Sequence, residues 1–432
     1  MTHAPSALRD WLSCARGSCD MRVEEIPWSR SRELAFEGGR LRHAKGAFFS
    51  VVGATVLVRG DRQPRFDQPL IDQPEIGILG FLVRKGRGGT EFLVQAKPEP
   101  GNAGLVQAAP TVQATESNYL RRHGGKATPF LGHFLSADGA LSSSLQSEQG
   151  TRFLGKYNRN LVVAAPEGNG VEEGAALRWF PAREVAELLL LDFEVNTDAR
   201  SVLASGPWEL LAAGGSPFGR WRGHGGLGED LLRSLEADPP TAEVAERLER
   251  LRATAEFTSK VTSLSDLAGW EVTDRAIRGD GFSVRHFDIA TTEREVARWD
   301  QPLVTSEEEG RAVLLCREHE GVLRFLFRAR PEIGFRERLQ FGPTLQDPGD
   351  GFLPTSPIQD QGRVLLSTLH SEEGGRFFRC VNRCTIRRLE GDEPLADDIV
   401  AMTLGQVRRL IRRPGFFTNE ARTLVSMLLA YA

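Results

Sequence analysis

A carboxylate, a lysine, two arginines and two asparagines crowd into residues 146–160, QSEQGTRFLGKYNRN, as Glu148, Lys156, Arg152, Arg159, Asn158 and Asn160. On a strand, such a polar face either lines a pocket for a charged ligand or decorates an exposed edge. A second copy, HSEEGGRFFRCVNRC at residues 370–384, favours the pocket. It repeats Glu148 as Glu372, Arg152 as Arg376, Asn158 as Asn382 and Arg159 as Arg383. Seven of the fifteen aligned pairs are identical, against roughly one expected from average residue usage. Lys156 is not repeated, because Cys380 stands in its place. Lys97 keeps its positive charge as Arg330 and suits a phosphate, whereas Lys156 suits chemistry confined to the first copy; a solvated surface lysine is the alternative for each. Two of the three tyrosines, Tyr119 and Tyr157, also fall in parts distinctive of the first copy, where core packing competes with a functional role.

The repeat extends well beyond this stretch. Residues from 34 onward align without a gap to residues from 267 onward at a shift of 233, through DQPL in both copies, AKPEPGN with ARPEIGF, and PTVQ with PTLQ. At 146–160 the shift is 224, so the first copy carries nine extra residues (233 minus 224), which lie within ATESNYLRRHGGKATPFLGHF. Each copy reads as a hairpin, residues 76–83 with 92–95 and residues 312–316 with 323–327. Helices are expected at 5–15, 114–123, 182–191, 241–257 and 404–411, with capped terminal helices at 196–203 and 418–425. The chain then divides into a lead-in (1–33), a first module (34–205), a linker with an amphipathic helix (206–266) and a second module (267–432). That helix should dock the second repeat or a second subunit.

Composition removes several classes of function. A net charge of −4 offers no basic field for nucleic acid. No apolar run reaches the roughly 18–20 residues that span a bilayer, and the first residues lack a secretory pattern, so a cytoplasmic protein is expected. Five cysteines without a CxxC pair read as inert buried thiols. GHGGLG at 223–228 satisfies GxGxxG, but no hydrophobic strand precedes it, and it reads as a flexible loop. Repeated hairpins and one helix per copy suit a mixed sheet flanked by helices, such as the Nudix sandwich. The glutamate-rich Nudix helix that binds divalent metal is missing from both copies, so a metal-dependent pyrophosphohydrolase is not expected.

The motifs IDQPEIGILGFL, FLVQAKPEPGN, PTVQATESNY and QSEQGTRFLGKYNRN, with SEEGGRF in the second half, occur in this order along nearly the whole chain. In them the chain resembles the sugar-nucleotide 2,3-dehydratases of deoxysugar pathways in antibiotic-producing actinobacteria. The resemblance implies an α+β fold, a tandem duplication of two Nudix-like α/β/α sandwich modules with mixed sheets, assembled as a homodimer without metal or redox cofactor. The implied substrate is a dTDP-4-keto-6-deoxyhexose, which loses its C2 hydroxyl to give a dTDP-3,4-diketo-2,6-dideoxyhexose. That product is labile, so a 3-ketoreductase must follow.

The C4 ketone acidifies the C3 proton, so the reaction needs a base, donors for an enolate oxygen and an acid for the departing hydroxyl. Carried onto this sequence, the candidates are Glu148, Lys156, Tyr119 and His123, with Glu116 behind them. Lys97, Arg152 and Arg159 suit the pyrophosphate; Gln113, Asn118 and Asn158 suit sugar or thymine; Trp28 or Trp179 could stack on the base. In the second half the counterparts of Tyr119, His123 and Lys156 are deleted or replaced, while Glu372, Arg376, Asn382 and Arg383 persist. The first copy is therefore expected to hold the active site, and the second a sugar-nucleotide-like pocket without chemistry. Two other readings compete, a Nudix-type nucleotide-sugar pyrophosphohydrolase and a non-catalytic sugar-nucleotide sensor.

Overall fold

The apolar runs GILGFLV and RAVLLC become the central strands of two seven-stranded mixed sheets. They are buried on both faces, which explains why they read as continuous rather than alternating. The computed structural model describes residues 6–44, 46, 48–59, 65–116, 127–136, 138–166, 173–212, 215–294, 296–347, 360–391 and 394–432. In the first sheet Gly77–Gly86 forms a hairpin with Gly89–Pro98 and runs parallel to Tyr157–Ala164, whose other neighbour is Ala140–Ser147. In the second sheet Gly310–His319, Val322–Pro331, Val381–Arg388 and Arg363–Ser371 pair in the same way. The remaining three strands of each sheet also correspond, so the two sheets share one strand order.

The segments that precede the two halves are exchanged between them. Arg22–Glu25 adds antiparallel to Ser283–Ala290, and Phe257–Thr262 adds antiparallel to Ser50–Val58. The registers are equivalent, since Val23 faces Ile289, Ser259 faces Val56, and 56 plus 233 is 289. A single apolar cluster then runs through both halves, from Leu79 and Phe81 to Leu314, Phe325 and Leu424.

Two wholly buried helices pack against each other inside it, Thr197–Ser205 capped by the Asn196 side chain and Asn419–Leu428 capped by that of Thr418. Each carries a fully buried arginine whose donors meet backbone carbonyls: Arg200 to Leu189 (3.0 Å) and Val195 (3.2 Å), Arg422 to Phe417 (2.7 Å) and Ser147 (2.5 Å). Such partners offset part of the cost of burying a guanidinium.

Several expectations are corrected or sharpened. Ala114 does not open a helix but ends strand Val112–Ala114, held on the central strand, and residues 117–126 lie outside the described ones. The polar stretch is not one strand: it is strand to Ser147 and again from Tyr157, and between them the chain turns, with the Gln149 carbonyl accepting from Arg152 and Phe153. GHGGLG is no free loop: Gly226–Glu236 is a helix, and Gly228 lies so close to the Trp221 ring that a side chain would collide. The helix expected at 241–257 spans Ala242–Thr254 and docks on the second half, burying Val244 and Leu248 while Arg252 donates to the Leu339 carbonyl at 2.9 Å.

Glycines close the contact between the halves. The Gly101 amide donates to the Gly374 carbonyl (2.9 Å), and its counterpart Gly334 donates to the Gly150 carbonyl (2.8 Å). A β-carbon at Gly101 would collide with the Phe377 carbonyl, and one at Gly334 with that of Phe153. Gly101→Ala should therefore destabilise the protein by roughly 1–3 kcal/mol or more. Gly88→Ala, in open space on a hairpin turn, should stay within about 0.5 kcal/mol. Denaturant midpoints of the two variants check this, and equal midpoints would contradict it.

Candidate active site

The glycine docking carries each polar turn over the sheet of the opposite half. Residues 373–376 of the second half cover the first sheet, and residues 149–152 of the first half cover the second. Two equivalent cavities result. The first, about 510 Å³ including its open mouth, is walled by Lys97, Glu99, Gln113, Lys156, Asn158 and Asp198 from one half and Arg294, Glu373 and Arg376 from the other. The second, about 610 Å³, holds Asn382, Cys380, Gln346 and Glu420 under Gln149 and Arg152.

Charge is dense and poorly solvated in the first cavity. Lys156, 5% exposed, donates to the Glu75 carbonyl, and burial pushes its ammonium down to about 8 from the 10.5 of a free lysine. Burial pushes the Glu373 carboxyl up to about 7, against the pull of Arg376. Asp198 is raised well above the usual carboxylate range, first by burial and then by Glu373, Glu148 and Glu99. Glu99 is held by the Gln113 amide at 2.9 Å, and Lys97 reaches the Gln113 carbonyl at 3.4 Å. Arg376 lies 4.3 Å over the Phe49 ring and donates to Gln73 at 3.1 Å, which fixes its guanidinium at the wall.

The candidates from the sequence divide under this geometry. Lys97, Gln113, Lys156 and Asn158 come together in the first cavity. Glu148 does not line it. One of its oxygens accepts from Asn158 (2.6 Å) and the other from Asn419 (2.8 Å), so it stands behind the wall and orients Asn158; burial raises its carboxyl against Arg422 and Lys156. Arg152 and Arg376 are interchanged relative to expectation: Arg152 lies 4.0 Å over Phe282 in the second cavity, because its turn crosses between the halves. Arg159 follows Asn158 on the strand, points to the opposite face and is exposed. Its counterpart Arg383 pairs with Glu309 at 2.8 Å.

Glu372 and Asn382 are bonded together in the second cavity, where burial raises Glu372 to about 8. Tyr119, His123 and Asn118 lie outside the described residues. Glu116 is half-buried and lines neither cavity. Trp28 stacks on His286 at 4.9 Å and Trp179 lies beneath Arg84 at 4.3 Å, both away from the cavities. Sequence reasoning missed Glu99, Asp198, Arg294 and Glu373. For Glu373 a signal was present, since the aligned position in the first copy is Gln149.

A family model described as NDP-hexose 2,3-dehydratase matches residues 6–205 and 241–428. The chain belongs to that family. A protein of Saccharopolyspora spinosa named dTDP-4-dehydro-6-deoxy-alpha-D-glucopyranose 2,3-dehydratase is 34% identical, covering 97% of this chain and 90% of its own. Relatives of the same name from Streptomyces violaceoruber (35% identical, 90% and 88% covered) and Amycolatopsis orientalis (31%, 98% and 90%) match along similar spans. Membership of the dehydratase family brings the two crossed turns under one label, because the matched segments contain both 148–152 and 372–376.

Lys156 also makes the family's cavity sensitive to pH. Between about 8 and 10.5 the unfolded chain binds a proton that folded Lys156 has lost, so stability contributed at this site increases with pH across that window. Relative to a Lys156→Met variant, the unaltered protein should gain up to roughly 3 kcal/mol from pH 8 to 10.5. Denaturant unfolding of both proteins at matched pH measures the difference; a constant difference would contradict the buried ammonium.

Proposed function

We propose that this protein eliminates water from a dTDP-4-keto-6-deoxyhexose, giving the dTDP-3,4-diketo-2,6-dideoxyhexose. The observation that carries the reading is the match, over nine-tenths or more of the chain, to relatives named for 2,3-dehydration of the 4-dehydro-6-deoxyglucose nucleotide. The first cavity supports it chemically. Lys97, Arg294 and Arg376 supply cations for a pyrophosphate, and Gln113 and Asn158 supply amides for sugar hydroxyls or thymine. The Lys156 ammonium suits the oxygen that becomes an enolate when the C3 proton leaves, since a charge in a poorly solvated wall stabilises developing charge strongly.

In the same reading the two halves are Nudix-like modules, supported by their shared strand order. Among the described residues the second cavity has Asn382, Glu372 and an arginine for a sugar nucleotide but no lysine, and its Cys380 thiol is pushed up to about 12 by burial. The assembly proposed is a homodimer, and the labile diketone calls for a 3-ketoreductase acting directly behind it. Among the described residues no helix is long and apolar enough to cross a membrane.

Incubation with dTDP-4-keto-6-deoxyglucose, a 3-ketoreductase and its nicotinamide should yield, by mass, a product that has lost one water and gained two hydrogens. Binding of dTDP without turnover would overturn the reading. Lys156→Ala should lower kcat by at least ~100-fold. Glu372→Gln, which replaces a largely protonated carboxyl by a neutral amide of the same shape, should keep kcat within about threefold.

A further inference from the structure

We propose that Glu373, carried by the second half of the chain, is a catalytic acid–base residue of the cavity in the first half. Its role is to take the C3 proton and hand it to the departing C2 hydroxyl. The inference rests on the dehydratase reading and adds a residue to it.

Comparison of the two cavities carries the argument. Four wall positions are identical between them: Asn158 as Asn382, Gln113 as Gln346, Gly77 as Gly310, and Arg376 as Arg152. The carboxylate of Asp198 is also kept, as Glu420. Titratable positions differ: Asp347 of the second cavity stands where the first has Ala114, and where the first cavity has Lys156 and Glu373, the second has Cys380 and Gln149. These four residues lie in opposite copies of the repeat, so the paired difference follows the cavities and not the modules. A lysine and a carboxylate kept together in one cavity and lost together from the other form one functional unit.

Glu373 is also placed and free to act. It faces the same cavity as Lys156, and each feels the charge of the other. Both oxygens of Glu148 are occupied by asparagines, and Glu372 is held by Asn382 and Gln149. Among the described residues no hydrogen-bond donor engages the Glu373 carboxyl. With its pKa raised to about 7 it can both accept and return a proton near neutral pH.

The step balances without a co-reactant. Glu373 takes the C3 proton, and the C–H electron pair becomes the enolate of the C4 ketone, beside the Lys156 ammonium. Collapse of the enolate breaks the C2–O bond, and the proton held by Glu373 leaves with the hydroxyl as water. The resulting enol loses its O–H proton and gains one at C2, leaving a ketone at C3.

Glu373→Gln is a suitable test because it installs the amide that Gln149 already provides in the other cavity. We expect kcat to fall at least 100-fold while the Kd for dTDP stays within threefold. Glu373→Asp should recover part of the rate. For the unaltered enzyme kcat should rise with pH through about 7, and this limb should vanish from the residual activity of the Gln variant. Turnover of the Gln variant within threefold, or a pH limb unchanged in it, would overturn the proposal, as would an Asp variant no faster than Gln. If the unaltered protein binds dTDP but releases no water from the substrate, the dehydratase reading fails instead, and the two failures are told apart.

Discussion

Two pairs of backbone contacts hold the molecule in its working arrangement: Gly101 on the 374–377 turn, and Gly334 on the 150–153 turn. Each needs a residue without a β-carbon, because the neighbouring carbonyl occupies the space a side chain would take. The contacts reinforce one another. The Arg379 amide returns a bond to the Gly101 carbonyl (2.8 Å), and the Gly155 amide returns one to Gly334 (2.7 Å). Phe153 and Phe377 meet edge to face between the two turns, with centroids 6.0 Å apart. Exchange of the lead-in strands works in the same direction, so neither half completes its sheets alone.

The same crossing sets the electrostatics. A turn carried on a single module would end in solvent, and its carboxylates would ionise normally. Glu373, pressed against the opposite sheet, and Glu372, covered in its own half by the 149–152 turn, lose water, and burial is the leading cause of the raised pKa in each. Arg376 and Arg152 answer part of that cost, each stacked on a phenylalanine of the half it visits, Phe49 or Phe282. Glu148 is handled differently, with asparagines from both halves on its two oxygens and the buried Arg422 within range. A deeply buried carboxylate with both oxygens hydrogen-bonded is a structural joint, whereas one facing a cavity without donors is available for chemistry.

Local features were the legible part of the sequence. The hairpins follow from continuous apolar runs closed by Gly-containing turns, and the caps at Asn196 and Thr418 follow from side chains that satisfy the first amides of a helix. Polar residues at 146–160 suggested a pocket, and Lys97, Gln113, Lys156 and Asn158 line one cavity. What sequence could not show is which copy of the turn covers which sheet. That depends on contacts between residues far apart in the chain, 184 positions for Gly150 with Gly334 and 273 for Gly101 with Gly374, and no local periodicity encodes them. Arg152 was grouped with Lys156 because they are neighbours in the chain, yet the turn carries them into different cavities.

The crossing also changes how two matching halves of one chain can diverge. If each cavity belonged to one repeat, loss of function in one copy would leave the other untouched. Here a substitution at 373 alters the first cavity and one at 149 alters the second, although each lies in the other half of the sequence. Neither repeat can be relaxed as a whole. The second copy must keep Arg376, which walls the first cavity, and Gly374, which docks against Asn102 of the first half, even where its own cavity has Cys380 in place of a lysine. Identity between the two turns is therefore a record of shared scaffolding, and the positions where they differ, 149 against 373 and 156 against 380, are where a division of labour can be written.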